Sequence, residues 1–235
     1  MRLTTKLLDP ARAAQLQVLP ASLREHLPAD YAAFIATYGP GTYAGEVVVA
    51  YPDATTIAAT FGEHADLWEL DERFTAADLQ AATQLAWSHD GDIVRVVASR
   101  PSQVFVLPRH AEQVRQYASF WAAVASLTPP AAEPCFDPSF DAELTQLSLV
   151  RQNQLVPIEP IWQAFQRQFA IEAVLRAATQ PVCLLPELGG WVSFDLIYKS
   201  SITVKFQRLR AAQAAPVLAF LAQCLNEGAG RGAGR

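Results

Sequence analysis

The sequence contains few cysteines and histidines, and this scarcity excludes the common kinds of metal and disulfide site. Its three cysteines lie about 40–50 residues apart, so they form neither a metal-ligand pair nor a disulfide framework. The four histidines show neither His-x-His nor His-x-x-x-His spacing. We therefore expect no metal site and a chain that works in the reducing cytoplasm. The residues concerned are Cys135, Cys183, Cys224, His26, His64, His89 and His110.

Basic clusters and long apolar runs are also missing. The chain has 18 Lys and Arg against 23 Asp and Glu, a net charge of −5, whereas binding to phosphates requires clustered cations. The longest uncharged stretch, residues 116–132, contains Pro129-Pro130 and is shorter than the roughly 20 apolar residues of a membrane span. We therefore expect no nucleic-acid partner and no membrane partner. The one close group of cations is Lys205, Arg208 and Arg210.

Apolar residues are abundant, at 51%, and this is typical of a folded globular protein. Three prolines within six residues, Pro129, Pro130 and Pro134, oppose both helix and strand and predict a linker. Residues 1–128 hold 14 acidic and 9 basic residues, so the whole net charge of −5 lies before this linker. The predicted parts are a domain at 1–128, the linker at 129–135, a second α+β region of unknown role at 136–227, and a flexible glycine-rich tail at 228–235.

The hydrophobic periodicity predicts an α+β fold, with an antiparallel sheet flanked by helices. Pro28 opens a helix that Gly39 ends, and Asp90-Gly91 between two apolar runs indicates a β-hairpin. The first half is predicted to hold a helix over 27–38, strands over 46–51, 85–88, 93–97 and 103–107, and a closing helix over 114–124. The second half is predicted to hold a helix over 161–178, strands over 192–198 and 202–206, and a last helix over 216–225.

Ser88-His89-Asp90 contains the three residue types of a hydrolase triad, but their adjacency argues against one. Consecutive strand residues point to opposite faces, whereas a triad is assembled from separate segments. The hairpin offers a structural role instead, in which Asp90, Gly91 and Asp92 form the turn. The glycine pairs elsewhere lack the Lys-Ser/Thr of a phosphate loop and the remainder of a dinucleotide fingerprint. We therefore predict no catalytic residue and no cofactor.

Three motifs follow one another in the first half. They are Leu27-Pro28 followed by Tyr31, Phe34 and Tyr38-Gly39, then the Gly91-Asp92 turn, then the aromatic element Tyr117-Ala118-Ser119-Phe120-Trp121. In this order they resemble the SUKH superfamily of Smi/Knr-like domains over residues 20–128. The resemblance implies an α+β domain without catalytic residues. In bacteria such domains are often immunity proteins that neutralise a toxin, frequently a nuclease or deaminase, and other members are regulatory or scaffold proteins.

An acidic stretch with a tryptophan among its charges is the best candidate for a partner-binding surface. Opposite charge would speed association with a basic, nucleic-acid-directed toxin, and an aromatic within a charged rim is typical of a binding hot spot. The alternative is a solvated acidic loop whose tryptophan lies in the core. The candidate residues are Glu63, Asp66, Trp68, Glu69, Asp71 and Glu72.

Three functions follow, in order of preference. The first is a cytoplasmic bacterial immunity protein that binds a toxin and blocks its active site. The second is a regulatory or scaffold adaptor, which a large exposed apolar patch on residues 136–225 would favour. The third is a hydrolase, which would need a deep pocket lined by ionisable groups with shifted pKa values. The sequence leaves the partner's identity and the oligomeric state open.

Overall fold

The structure, a computed structural model, describes residues 1–54, 67–101, 103–151, 153–176 and 180–232, with side chains to residue 227. The fold is α+β, as the periodicity predicts, and most neighbouring strands are antiparallel. The chain forms two compact units, one comprising Met1–Leu3 and Leu8–Phe140, the other Thr4–Leu7 and Asp141–Arg235. In the described ranges, no helix is both long and apolar enough to cross a membrane.

In the first unit, eight described strands form one sheet in the order β1-β8-β2-β3-β4-β5-β6-β7. Neighbours are antiparallel except β1 and β8, which run parallel. The strands are β1 (Arg2–Leu3), β2 (Gly41–Tyr43), β3 (Val47–Asp53), β4 (Thr83–Ser88), β5 (Ile93–Val96), β6 (Val104–Leu107), β7 (Arg115–Tyr117) and β8 (Cys135–Pro138). The helices are α1 (Arg12–Gln17), α2 (Ala21–Arg24), α3 (Ala29–Tyr38), α4 (Ala76–Ala81) and α5 (Phe120–Ser126).

Strands β5 and β6 have every side chain buried, because both faces of the sheet are covered at this point. On one face, Val94, Val96, Val104 and Val106 join a core that includes side chains of α3 and α5. On the other face, Phe105 and its neighbours pack against the segment at 67–82. Strands buried on both faces have continuous apolar sequences without alternation, and both strands follow this pattern apart from Arg95.

Helices α3 and α5 pack together through aromatic rings. Tyr31 meets Phe120 at a centroid distance of 5.0 Å, and Phe34 meets Trp121 at 4.7 Å. Asp30 of α3 also accepts a hydrogen bond from the backbone N–H of Trp121 at 3.1 Å. Burial of each such ring contributes about 1.5–3 kcal/mol to folding. The predicted helix after Pro28 is therefore a central core element, and it ends at Gly39, whose φ is +74°.

The closing helix of the first half is shorter than predicted. The sequence predicts a helix over 114–124, but Arg115–Tyr117 is a strand that pairs with β6, and the helix begins at Phe120. Ser119 has extended backbone and its hydroxyl accepts from the N–H of Ala122 at 3.1 Å. This cap fixes the start of α5, and the residues before it complete the edge of the sheet.

The boundary between the two parts of the chain lies later than predicted. The sequence places a linker at 129–135 and a second region from 136, whereas the first unit continues to Phe140. Residues 135–138 form β8, which pairs with β1 and β2. Gly41 permits this approach, because a Cβ there would lie 2.4 Å from the carbonyl oxygen of Asp137. Phe136 is fully buried beside Phe34, so the strand belongs to the core of the first unit.

In the second unit, five described strands form a sheet in the order β12-β13-β14-β15-β9, beside a separate two-stranded hairpin of β10 and β11. Phe165 is fully buried and its ring contacts those of Phe169, Phe194 and Phe220. The strands are β9 (Ala142–Ser148), β10 (Val150–Arg151), β11 (Gln154–Leu155), β12 (Ala173–Leu175), β13 (Val182–Leu185), β14 (Gly190–Phe194) and β15 (Ser201–Gln207). The helices are α6 (Ile158–Gln168) and α7 (Ala211–Gly232), with 3-10 turns at Pro186–Leu188 and Arg208–Arg210.

Three predictions for the second half are wrong in extent. The helix predicted over 161–178 ends at Gln168, because Ala173–Leu175 pairs with β13 as a strand. The strand predicted over 192–198 ends at Phe194, where a turn begins. The last helix, predicted over 216–225, extends from Ala211 to Gly232. Once a helix is anchored by packing, each added residue gains a hydrogen bond at little further cost.

We expect Phe136→Ala to destabilise the first unit by about 3–5 kcal/mol, the usual cost of removing a buried ring. Amide hydrogen exchange should rise in α3, β2 and β8 and stay unchanged in β14 and β15. Phe140→Ala, a few residues on and only partly buried, is the matched control and should change the first unit much less. Faster exchange in β14 and β15 alone would contradict the placement of Phe136 in the first unit.

Candidate functional site

Trp68, the predicted hot-spot residue, lies in the core and not on the surface. It is 7% exposed, and its indole N–H donates to the carbonyl oxygen of Pro108 at 2.8 Å. It packs in the cluster that includes Phe74 and Phe105, on the sheet face covered by the segment at 67–82. The prediction that Trp68 contacts a partner is therefore wrong. Trp68 instead packs on this face of the sheet and helps to bury its apolar side chains.

The acidic side chains beside Trp68 are exposed, but part of their charge is already paired. Asp71 accepts from Arg73 Nε at 2.8 Å, and the hydrogen bonds from Arg73 lower the pKa of Asp71 while raising that of Arg73. Glu72 is exposed, and its carbonyl oxygen accepts from Arg100 at 2.7 Å. Glu69 is exposed and its N–H donates to the carbonyl oxygen of Glu112. The remaining predicted contacts, Glu63 and Asp66, lie outside the described residues.

A pocket of about 380 Å³ lies between this acidic segment and β7. Phe74 and Phe105 line it, with ring centroids 4.7 Å apart. Its charged lining residues are Glu69, Asp71, Arg73 and Arg115, two of each sign. The charges that line this pocket are therefore balanced, although the stretch beside it is acidic in sequence. The hydrogen bonds lower the pKa of Asp71 further from neutral pH, whereas a general acid or base works best with a pKa near the working pH.

Asp78 holds the acidic segment to the sheet. Its carboxylate accepts from the Thr75 N–H at 3.0 Å, completing a capping box at the start of α4, and from the Ser99 hydroxyl at 2.8 Å. Arg100 Nε lies 3.2 Å from the same carboxylate. Burial alone raises the pKa of Asp78, but the hydrogen bonds and the Arg100 charge outweigh it, so the net pKa is lowered. Asp78 is therefore a structural anchor.

Asp90, Gly91 and Asp92 lie in the turn between β4 and β5. The N–H of Gly91 donates to the carbonyl oxygen of Ser88 at 3.0 Å, and Asp92 accepts from the N–H of Arg109 at 2.8 Å. Gly91 has φ of +92°, a region that disfavours side chains. The Ser88 hydroxyl accepts from the N–H of Asp92 at 3.0 Å. Ser88, His89 and Asp90 therefore have hairpin geometry, and their order along the chain does not assemble a triad.

Arg95 is a buried charge that the sequence interpretation missed. It is fully buried in β5, and it donates to the carbonyl oxygen of Ala82 at 3.0 Å and to the side chain of Gln84 at 2.9 Å. Burial lowers the pKa of Arg95 to about 9, against an opposing effect of Asp53, so the guanidinium stays charged at neutral pH. In the sequence, this buried charge could have been recognised from its position, because Arg95 interrupts a run of apolar strand residues. Its hydrogen bond to Ala82 connects β5 to the C-terminal end of α4.

The second unit exposes a group of large apolar side chains on neighbouring turns. Val150 and Leu155 are opposite each other in the β10-β11 hairpin and are 52% and 55% exposed. Ile197 and Tyr198, 54% and 78% exposed, occupy the turn between β14 and β15. The hairpin adjoins that turn, because the N–H of Leu149 donates to Ser200 at 3.0 Å. We call Val150, Leu155, Ile197 and Tyr198 the apolar rim.

The turn that carries Ile197 and Tyr198 is held by its own hydrogen bonds. Asp195 accepts from the N–H of Tyr198 at 3.0 Å and from the hydroxyl of Ser200 at 2.7 Å. Partial burial raises the pKa of Asp195, but these bonds outweigh it and the net pKa is lowered. Lys199 pairs with Glu159 at the start of α6. The exposed side chains are therefore presented on an ordered loop. Sequence reasoning placed Tyr198 in a strand and missed this surface.

A groove of about 420 Å³ lies between α6 and α7 of the second unit. Its lining is mainly apolar, with Ile161 at its base among the buried residues. Cys224 also lines it, and burial with the nearby Glu227 raises the pKa of this thiol. A raised pKa keeps the thiol protonated and weakly nucleophilic at neutral pH. The other lining residues are Val156, Pro157, Pro160, Ala164, Arg167 and Glu227. In the described part of the chain, no three His, Cys, Asp or Glu side chains group as a metal site.

The chain matches no protein-family model, no curated protein and no solved structure.

We expect Asp78→Ala to destabilise the first unit by about 2 kcal/mol, because it removes a helix cap and leaves Arg100 without its carboxylate. The pKa of Asp78 is lower in the folded protein than in the unfolded chain. The stabilisation is therefore fully present above the ordinary aspartate pKa of about 3.9, and it is lost as the pH falls through the pKa of Asp78 in the folded protein. Chemical denaturation at pH 7 and pH 3 tests both points. The gap between wild type and variant should shrink at pH 3.

Glu72→Ala is the control for this experiment, because Glu72 is exposed and its backbone bond to Arg100 is retained. Its denaturation midpoint should stay close to wild type at both pH values. If Asp78→Ala behaves like Glu72→Ala at pH 7, the anchoring role of Asp78 is wrong.

Proposed function

We propose that this chain is a protein-binding protein that acts by occupying its partner and not by catalysing a reaction. The observation that carries the proposal is the apolar rim of Val150, Leu155, Ile197 and Tyr198. Exposed apolar side chains gain nothing from folding, and when they are grouped they mark surfaces that bind other proteins. Tyrosine on an ordered turn is a typical hot-spot residue, because it buries a large area at little cost in conformational entropy.

The most specific form of the proposal is a bacterial immunity protein of the SUKH type that acts in the cytoplasm. The ordered motifs of residues 20–128 support it through their resemblance to that superfamily. The net charge of −5 in residues 1–128 also supports it, because a basic nuclease or deaminase domain would be attracted over long range. In this proposal the overall charge of the first half supplies the attraction, and no single contact patch is required for it.

A regulatory or scaffold adaptor is the second candidate. The apolar rim favours it, because the rim lies in residues 142–235, where the chain carries no resemblance to the SUKH superfamily. The two candidates share a mode of action, the binding of another protein, and differ in the partner. A toxin partner predicts rescue of growth, and an adaptor predicts none.

We expect this chain to restore the growth of a bacterial host that expresses a nuclease or deaminase toxin domain encoded beside its gene. The toxin domain is induced with and without this chain, and colony counts are compared. A catalytically inactive toxin domain controls for the burden of expression. Absence of such a neighbouring gene, or absence of rescue, would overturn the immunity proposal and leave the adaptor.

We expect Tyr198→Ala to weaken binding to that toxin domain by at least about tenfold, as removal of a hot-spot side chain does. Isothermal titration calorimetry gives the dissociation constant, and thermal melting shows that the fold is kept. Leu209→Ala is the matched control, because Leu209 is 59% exposed in the same unit but outside the apolar rim. Equal affinity of the two variants would contradict the role of the rim.

A further inference from the structure

Strand β9 is the long open edge of the second unit's sheet. It has seven residues, all in unbroken register with β15. The other edges of the two described sheets are much shorter: β12 and β7 have three residues each and β1 has two. Short edges are one way in which proteins prevent sheets from joining. By this comparison β9 is the edge that lacks such protection.

The hydrogen bonds at the two ends of β9 show which backbone groups face outward. The N–H of Leu149 donates to Ser200 at 3.0 Å, and the N–H of Arg208 donates to Asp141 at 2.9 Å. In an antiparallel ladder, hydrogen-bonded pairs alternate with unbonded ones, so odd-numbered residues of β9 bond to β15 and even-numbered residues face outward. In the described part of the chain, no hydrogen bond is made to these outward groups. The outward residues are Ala142, Leu144, Gln146 and Ser148.

The side chains along β9 also leave the edge accessible. None of its seven residues is buried, and Leu144 is 62% exposed. The strand contains no proline and no lysine, the residues that most often protect an edge. Its single charge is Glu143, which lies near one end. Within the described residues, the edge therefore offers a row of unbonded backbone donors and acceptors, and a second strand would meet little electrostatic repulsion there.

We propose that β9 pairs antiparallel with the β9 strand of a second copy of this chain, about a two-fold axis at Thr145. In this register all seven residues overlap, and the outward residues meet one another. Ala142 lies opposite Ser148 of the second copy, and Leu144 lies opposite Gln146. Each of these pairs exchanges two hydrogen bonds. Glu143 lies opposite Leu147, so no like charges are opposed across the axis. Two five-stranded sheets become one, and the open edge is removed.

Gln146→Pro tests the pairing, because proline removes an outward N–H and blocks the approach of a second strand. The ladder with β15 does not use that N–H, so the fold is kept, as circular dichroism will show. The wild-type chain should sediment as a dimer at micromolar concentration. The variant should associate at least about a hundredfold more weakly, since the loss occurs twice per dimer at about tenfold each. Gln146→Ala keeps the N–H and is the matched control that should remain dimeric.

A disulfide across the axis tests the register separately. In the proposed register two Thr145 residues form an unbonded pair with Cα atoms about 4.5 Å apart, which is within disulfide range. Thr145→Cys should therefore form a covalent dimer under mild oxidation. Ser148→Cys lies opposite Ala142 and should not, and the wild-type chain controls for the native cysteines. A monomeric wild-type chain, a dimeric Gln146→Pro, or a covalent dimer of Ser148→Cys without one of Thr145→Cys would each overturn the proposal.

Discussion

The first unit depends on the aromatic contacts that Phe34 makes. Its ring meets Trp121 of α5 at 4.7 Å and Phe136 of β8 at 4.8 Å, and it also packs against Tyr38 of its own helix. Three segments that are far apart in the sequence therefore share one side chain. Packing of this kind is cooperative, because a change in one ring alters the fit of the others. It also explains why the unit extends past the proline-rich stretch, since α3 would otherwise lack its partner on β8.

Local chemistry in the sequence was enough to predict the α+β class and several elements. The helix after Pro28 is set by its apolar spacing and by Gly39, and the β4-β5 hairpin is set by Asp90-Gly91. The errors arise where distant pairing decides the outcome. Arg115–Tyr117 has helical spacing with Phe120, but hydrogen bonding to β6 makes it a strand. Residues 135–138 follow three prolines, and only pairing with β1 and β2 assigns them to the first unit.

The candidate site was harder to predict, because exposure depends on the whole fold. Trp68 lies among charges in the sequence, and this pattern suits a hot spot as well as a buried anchor. The continuous apolar sequences of β5 and β6 indicate that both faces of the sheet are buried. Another segment must therefore pack on the second face, and Trp68 belongs to that segment. Tyr198 was misplaced for the opposite reason. Its alternation with Phe194 suits a strand, but Asp195 accepts hydrogen bonds from Tyr198 and Ser200 and turns the chain.

The pairing of β1 with β8 has a consequence for how the chain is made. These strands run parallel, and their residues are more than 130 positions apart, since Arg2 is opposite Cys135. Because synthesis proceeds from the N-terminus, β1 leaves the ribosome well before β8 and has no partner until nearly the whole first unit has followed. Thr4–Leu7, which directly follows β1, belongs to the second unit and must wait longer still. Strand β1 therefore reaches its final hydrogen-bonded position only after more than 130 further residues have been synthesised.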